Sequence, residues 1–589
     1  MHRGVWGATV VLLLLAVVTP GAPAPAAAGR DAGPLPLARY FDNTAVGDGT
    51  RAGAADLDGA GGYLPARDLA AAGWTPGRAL TVQGARLTWP ARREGGPDNV
   101  RADGQEVRVA GRGDALAFLV TATGGGEAGG RGWVSYADGT RSSYRLLSPD
   151  WLSGPLATKA VALPHVGTPS GPRAGKARLY VVTVPIAADR EVVSVRLPRA
   201  SGLHVFAVAV RGAGRGWTGT WAASTSGHPA VGPWTDRTLR LVVRVSAGGQ
   251  RVRVRFDNTF ATAPVRIGGA TVAVRAAGAE PRGRPAALSF GGADGVVIPA
   301  GAQAYSDPLA FAVPAGADLL VSFHLPGTVK ALPAHRLAVQ RSYLSGPGDH
   351  TADRSAKGFQ AALTNWPLLA GVDVGGGPGA VVLLGDSITD GDRSTAGANR
   401  RWPDVLAGRL RAQDAVPHYG VLNHGVSGNR VTGDRYPGDG VSTDQAGVSA
   451  PHRFDRDVAA QTSARTVVVF EGVNDLLAGA DARAVTEALG GLAERARERG
   501  LRAVAATVLP CGGRAGCTAA VEAERAGVNA WLRSAGAFDA VLDFDAVLRD
   551  PADPARMRPA YDSGDHLHPG DAGLAALARS VDLALLDAG

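Results

Sequence analysis

The chain has 589 residues, 61 basic against 53 acidic side chains and a formal net charge of +8. That length is more than one hydrophobic core supports and predicts roughly three or four domains. The positive balance does not mark a nucleic-acid partner, because only four of the 61 basic residues are lysine, the arginines are spread along the chain, and no basic run is interleaved with aromatics.

Residues 1–28 read as a secretory signal: Arg3 gives the positive start, Val10 to Val18 the apolar core, and Ala26 to Ala28 a small-residue cleavage site. A membrane anchor is the competing reading. The apolar core is shorter than a span requires, and Pro20, Pro23 and Pro25 follow it. The expectation is therefore an exported protein that begins near Gly29 and, once cleaved, has no membrane partner.

From about residue 30 to 374 helical periodicity is nearly absent. Short runs such as Leu179 to Val184, Val192 to Leu197 and Leu203 to Val210 alternate with Gly, Pro and Asp turns, as in an antiparallel sandwich. Gly212 to Gly216 marks a break between a unit at 30–212 and a second β unit at 217–374. In the second unit, Leu239 to Val245 and Arg251 to Phe256 are predicted to form a hairpin across Ala247 to Gln250. The strict alternation of Arg251 to Phe256 predicts one wet face.

From about Pro378 the pattern becomes strand, helix, strand, helix. Strands are predicted at Ala380 to Leu384, Val416 to Asn423, Thr466 to Phe470, Ala503 to Val508 and Ala540 to Asp543. Helices are predicted at Pro403 to Gln413, Ala480 to Arg499 and Thr518 to Ser534. Such alternation predicts a parallel sheet covered on both faces, with a site at the carboxyl ends of its strands.

Four motifs fall at those ends: Gly385-Asp386-Ser387, Asn423 to Asn429, Gly472-Val473-Asn474-Asp475, and Asp565 to Pro569 before the last helix. Singly, each has an ordinary reading. Ser387 could cap a helix, Gly425 and Gly428 could be turn glycines, Asn474 and Asp475 could close an Asx turn, and Asp565 with His568 could be a cap and a surface imidazole. Together and in this order they supply a nucleophile, a base, an orienting carboxylate and oxyanion donors.

In these four blocks the chain resembles the SGNH hydrolases, also called the GDSL esterase family, over residues 378–589. The resemblance implies a flavodoxin-like α/β/α domain and a catalytic set of Ser387, Asp565 and His568. It implies an oxyanion hole from Ser387, Gly428 and Asn474. The expected fold class is multidomain, two all-β sandwich-like domains followed by that hydrolase domain, with no cofactor and no metal. His566, His568 and Asp565 form a second, metal-binding alternative that lacks further ligands. His424 and Arg430 flank the oxyanion block and are candidates for lining the substrate pocket, or for packing. The absence of Gly-x-Ser-x-Gly argues against the ordinary α/β-hydrolase elbow.

Cys511 and Cys517 lie six apart, and an oxidising compartment favours a disulfide between them, worth about 2 kcal/mol, over two free thiols. The second β unit, through Trp217 to Trp221 and Arg255 to Phe260, resembles a module of secreted esterases linked with plant-polysaccharide breakdown. Through Asp56 to Asp58 and Gly61 to Tyr63 the first unit, 30–212, resembles β-sandwich modules appended to secreted glycan-active enzymes, which implies carbohydrate binding, with a spacer or stabilising domain as the alternative. Trp133 and Trp151 are its expected exposed aromatics, and the Asp42 to Asp58 region is an alternative calcium site.

The expected function is a secreted serine esterase that deacylates plant-polysaccharide or aryl esters through an acyl-enzyme. The alternatives are a lipase or phospholipid acyl hydrolase, and, in another class, a glycan-binding surface protein with a vestigial hydrolase domain.

Overall fold

The computed structural model describes residues 34–589 apart from 49–53, 92–94, 213 and 215. The signal-type segment at 1–28 lies outside the described residues. Among the described residues, no helix is long and apolar enough to cross a membrane.

The N-terminal region is all β. Its first part holds a five-stranded sheet, in the order Lys159–Val166, Arg173–Pro185, Ala115–Ala122, Arg199–Arg211, Val100–Asp103. A four-stranded sheet runs Glu106–Gly111, Val192–Arg196, Ala128–Tyr136, Arg141–Ser148. Leu116, Phe118 and Val120 pack with Val134, Leu146 and Val195 of the four-stranded sheet. The intervening Ala117 and Leu119 face Trp74, Trp89 and Leu64. That two-sided cover explains why Ala115 to Ala122 is an unbroken small and apolar run, since a strand buried on both faces has no polar side. Trp151 belongs to this second layer and is only 2 % exposed, so the expectation of a surface aromatic there is corrected; of the pair only Trp133 is exposed. Asp56 and Asp58 accept backbone N–H groups of Gly59, Gly61, Ala60 and Gly62, closing a tight turn.

The second β part is also built from two sheets over one core, which includes Leu241, Val254, Phe256, Val321 and Phe323. The predicted hairpin is not formed. Leu239 to Val245 lies in Ala230–Arg244, paired with Asp318–Ala331, whereas Gly249–Asp257 pairs with Leu369–Gly375 in the opposite sheet. The Ala247 to Gln250 connection crosses between sheets because both strands are apolar enough to face the same core. The predicted wet face holds at Arg251, which is exposed, and is lost further along: Arg255 is buried and donates to Gln461 of the hydrolase domain at 2.8 Å, and Arg253 donates to Asp373 and Thr462. Ala79–Val82 and Ala85–Thr88, within the 30–212 stretch, join the second part through Thr81 and Gln303, so the two parts share a sheet.

The C-terminal domain has five parallel strands: β1 (Ala380–Gly385), β2 (Gly420–Gly425), β3 (Ala464–Phe470), β4 (Arg502–Ala506) and β5 (Ala540–Leu542), in the order β2-β1-β3-β4-β5. Its helices are α1 (Ser387–Asp390), α2 (Trp402–Arg411), α3 (Ala450–Phe454), α4 (Val473–Leu477), α5 (Ala482–Glu498), α6 (Ala519–Ser534), α7 (Phe544–Leu548) and α8 (Asp571–Ser580). Alternate strand residues serve two cores. Val382, Leu384, Val467 and Val469 pack against Leu489, Leu492 and Val528 of α5 and α6. Val381, Leu383, Val468 and Phe470 pack against Leu406, Leu410, Leu574 and Leu577 of α2 and α8.

The second β part docks along the free edge of β2. Trp217–Ala222 approaches it so closely that a Cβ on Gly420 would lie 2.0 Å from the Gly219 carbonyl oxygen. Val421 N–H donates to Ser246 Oγ at 2.8 Å, and Ser224 Oγ lies 2.8 Å from His424 Nδ1.

Candidate active site

Gly385 at the end of β1 stands beside Gly425 of β2 and Phe470 of β3, so the three loops that follow emerge from one edge of the sheet. Gly385 is needed there, because a Cβ would sit 2.2 Å from Thr389 Oγ1. The chain then turns into α1, capped by Asp386, whose Oδ1 accepts from Ile388 N–H. The cap is therefore Asp386, which leaves the Ser387 hydroxyl free for another partner. That partner is His568: Ser387 Oγ lies 2.8 Å from His568 Nε2, and the serine is 5 % exposed.

Asp565 fixes the imidazole twice over. Its Oδ1 accepts the N–H groups of Leu567 and His568 at 3.0 and 2.8 Å, which shapes the turn, and its Oδ2 lies 2.7 Å from His568 Nδ1. A proton held on Nδ1 leaves Nε2 as the acceptor facing the serine, the state a general base requires. Burial would raise the Asp565 pKa, but the His568 backbone and ring N–H groups outweigh it and hold the carboxyl well below the usual range. Two further charged groups, not singled out from sequence, complete this side. Arg393 donates to Asp565 at 3.1 Å, and Asp392 Oδ2 lies 3.8 Å from His568 Nε2.

Gly428, with φ of 81°, occupies the left-handed region in the loop after β2. Asn474, on α4 after β3, donates to the Asn429 carbonyl at 3.1 Å. Asp475 does not close an Asx turn. It accepts from Val431 N–H, Thr432 N–H and the Thr432 hydroxyl, tying α4 to the loop that carries Gly428. The structure thus joins Asp565, His568 and Ser387 in a line and places Gly428 in the loop after β2 and Asn474 in the first turn of α4.

Beneath them lies a buried charge cluster that no motif revealed. Arg453 of α3 donates to Asn429 Oδ1, the His424 and Gly385 carbonyls, Asp457 and Glu471. Burial pushes the Asp386 carboxyl up to about 6 and, with Asp386 nearby, raises Glu471 well above the ordinary carboxylate range. His424 is buried rather than lining a substrate pocket, and burial pushes its imidazole down to about 3. His566 turns its Nδ1 to Asp562 at 2.6 Å while His568 faces Ser387, so the two imidazoles do not converge on one ion. Among the described residues, the grouping with metal-like spacing is Cys511, Cys517 and Glu522. Those cysteines are joined in a disulfide, with Cα atoms 5.8 Å apart.

The second β part also reaches this site. His335 is buried, with Nδ1 2.8 Å from the Ser224 carbonyl and Nε2 2.9 Å from Asp390 Oδ1. The other oxygen of Asp390, at the end of α1, accepts Ser427 N–H at 3.0 Å, one residue before Gly428. Burial would lower the His335 pKa, but the Asp390 carboxylate outweighs it and raises it. Both ring nitrogens face acceptors, and the ring steadies the Asp390 carboxylate that joins α1 to the loop carrying Gly428. His335→Ala is expected to lower kcat roughly 10- to 100-fold, about the worth of one charge-assisted hydrogen bond. KM should stay unchanged and His335→Gln should recover part of the loss. Steady-state kinetics showing an unchanged kcat, or a rise in KM alone, would count against it.

A serine, an imidazole and a carboxylate joined in a line at the carboxyl edge of a parallel sheet have the geometry of a serine hydrolase site. The model of the GDSL-like lipase/acylhydrolase family matches residues 383–576, so the chain carries a GDSL-type hydrolase domain and is a carboxylic ester hydrolase. No curated protein matches the chain. Similar solved structures include Axe2, an acetylxylan esterase from Geobacillus stearothermophilus, at 20 % identity over 34 % of this chain and 91 % of that one, with a TM-score of 0.26. LAE5, an alpha/beta hydrolase enzyme from the metagenome of Lake Arreo, Spain, has 18 % identity over 36 % and 95 %, with a TM-score of 0.28. A GDSL-like lipase from Bacteroides thetaiotaomicron VPI-5482 has 19 % identity over 35 % and 87 %, with a TM-score of 0.26.

Proposed function

We propose that the protein is an exported serine esterase that removes short acyl groups from acylated polysaccharides or aryl esters. The observation that carries this reading is the unbroken line from Asp565 through His568 to Ser387. His568 Nε2 takes the Ser387 proton as Oγ bonds to the ester carbonyl carbon, help worth roughly 10²–10⁴-fold. The negative oxygen that forms is met by the backbone N–H groups of Ser387 and Gly428 and by the Asn474 amide. On collapse the C–O bond to the alcohol breaks and His568 returns its proton to the departing oxygen. Water, deprotonated by the same nitrogen, then bonds to the acyl carbon, the acyl C–Oγ bond breaks, His568 returns the proton to Ser387 Oγ, and the acid is released.

Short acyl groups on sugar hydroxyls suit this site better than lipid chains, because the polar and charged side chains of Asp392, Arg393 and Asn474 lie beside the Ser387–His568 pair. The joined triad weighs against a vestigial hydrolase. Export is supported by the signal-type residues 1–28 and by the disulfide. The β sheets facing each other across apolar cores support two sandwiches, and the β2-β1-β3-β4-β5 order supports a flavodoxin-like domain.

The test is a series of p-nitrophenyl esters from acetyl to palmitoyl, run beside acetate release from acetylated xylan. The expected result is a maximum kcat/KM at acetyl and measurable acetate release. A maximum at long chains would replace this reading with the lipase.

A further inference from the structure

The outer face of the four-stranded sheet carries one large exposed aromatic, Trp133, 43 % accessible. It stands on the strand Ala128–Tyr136, directly opposite Ser143 on one side and Arg196 on the other. Side chains two apart on a strand share a face, so Arg131 and Ser135 stand beside it. Arg131 is opposite Arg145, Ser135 is opposite Arg141, and Arg108 extends the face on the edge strand opposite Ser194. Arg196 is neutralised by Glu106 at 3.6 Å. Arg108, Arg131, Arg141 and Arg145 are exposed and have no carboxylate partner among the described residues.

Two features of this face have no use in the fold. Like charges directly opposite on neighbouring strands repel, yet Arg131 and Arg145 are so placed without a carboxylate to relieve them. Trp133, on an interior strand of the sheet, leaves 43 % of its surface to water instead of turning it to the core. We propose that this face binds an acidic polysaccharide, a chain of pyranoses bearing uronate carboxylates, at a site separate from Ser387.

The chemistry matches part by part. An indole presents a flat apolar surface to the C–H face of a pyranose ring while the ring's hydroxyls stay in water. Guanidinium forks pair with carboxylates in two parallel hydrogen bonds. Adjacent strands are about 4.8 Å apart, and the Arg131–Arg145 row lies about 7 Å along the strands from Trp133. A sugar stacked on the indole therefore places its neighbours' carboxylates over the arginines. A nucleic acid would offer the same arginines a line of phosphates, so single-stranded DNA is the comparison that separates charge alone from recognition of sugar rings.

The proposal does not depend on the esterase reading, so the full chain carrying Ser387→Ala is used for binding. Native affinity electrophoresis and calorimetry with polygalacturonate, at near-physiological salt, should show binding. Trp133→Ala and the pair Arg131→Ser with Arg145→Ser should each weaken it about tenfold or more. In the otherwise wild-type chain the same variants should leave circular dichroism and p-nitrophenyl acetate hydrolysis unchanged. Three arms would overturn it: no binding of polygalacturonate, equal binding of neutral xylan, or equal binding of dextran sulfate or single-stranded DNA, which would reduce the face to a charge-only surface. Unchanged affinity in both variants would overturn it as well.

Discussion

Ser387→Ala is expected to lower kcat for p-nitrophenyl acetate by about 10⁵–10⁶-fold, the largest single effect in the molecule. The substitution removes the atom that bonds to the ester carbon and leaves the rest of the site in place. Ser387 makes one side-chain hydrogen bond, to His568, and occupies the first turn of α1, where alanine is a good helix former. Folding should be unaffected. Nucleophile and base act as a unit, so adding His568→Ala to Ser387→Ala should change the rate little further, although His568→Ala alone is nearly as damaging. Purified variants showing activity within tenfold of wild type would remove Ser387 from the mechanism, and so would fully additive losses.

The largest expected effect on stability belongs to Arg453. Its side chain is 1 % exposed and bonds Gly385 at the end of β1, His424 at the end of β2, Asn429 beside Gly428, and the carboxylates of Asp457 and Glu471. Arg453→Met keeps most of the volume but strands the Gly385 and His424 carbonyls, Asn429 Oδ1 and Glu471 in the interior, while Asp457 keeps its closer pair with Arg456 at 2.6 and 2.8 Å. Breaking a buried ion pair from one side costs about 3–5 kcal/mol.

Glu471 differs from Asp457. With its pKa raised well above the ordinary range by burial and by Asp386, it carries a proton more readily than a surface carboxylate. Glu471→Gln alone should therefore be mild, and in the Arg453→Met background it should recover part of the loss. Urea unfolding and limited proteolysis would read both effects. An Arg453→Met chain as stable as wild type would show that the cluster is not under the tension its burial implies.

The two variants also separate what a sequence can disclose from what it cannot. Ser387, Asp565 and His568 were legible because chemistry restricts them to short local patterns: a serine after an apolar strand, and a carboxylate three residues before an imidazole. Arg453 and Glu471 were not. Arg453 lies in Pro451-His452-Arg453-Phe454, which reads as the polar side of a surface helix, and only the closing of three loops over it makes it the centre of the site's support. His335 escaped notice for the same reason, since it comes from a different part of the chain and meets Asp390 only after the β region docks.

Arg251 to Phe256 shows the limit from the other side. Alternation correctly marks one polar face, but it is silent on what covers that face, and here a second domain covers Arg253 and Arg255 where water was expected. The hairpin expectation failed because turn residues and apolar runs are equally compatible with a crossing between sheets that share a core.

The sequence by itself determined the parallel α/β character of the last 200 or so residues, the all-β character of those before, which serine, imidazole and carboxylate meet at the edge of the parallel sheet, and the cysteines that pair. Those features rest on period, spacing and residue chemistry, which are local. The tertiary structure alone decided which charges are buried and which strands share a sheet. It also decided that Trp151 is core while Trp133 meets solvent, and that a histidine from the β region helps hold the catalytic loops. Each of these depends on long-range packing, in which burial is conferred by residues hundreds of positions away.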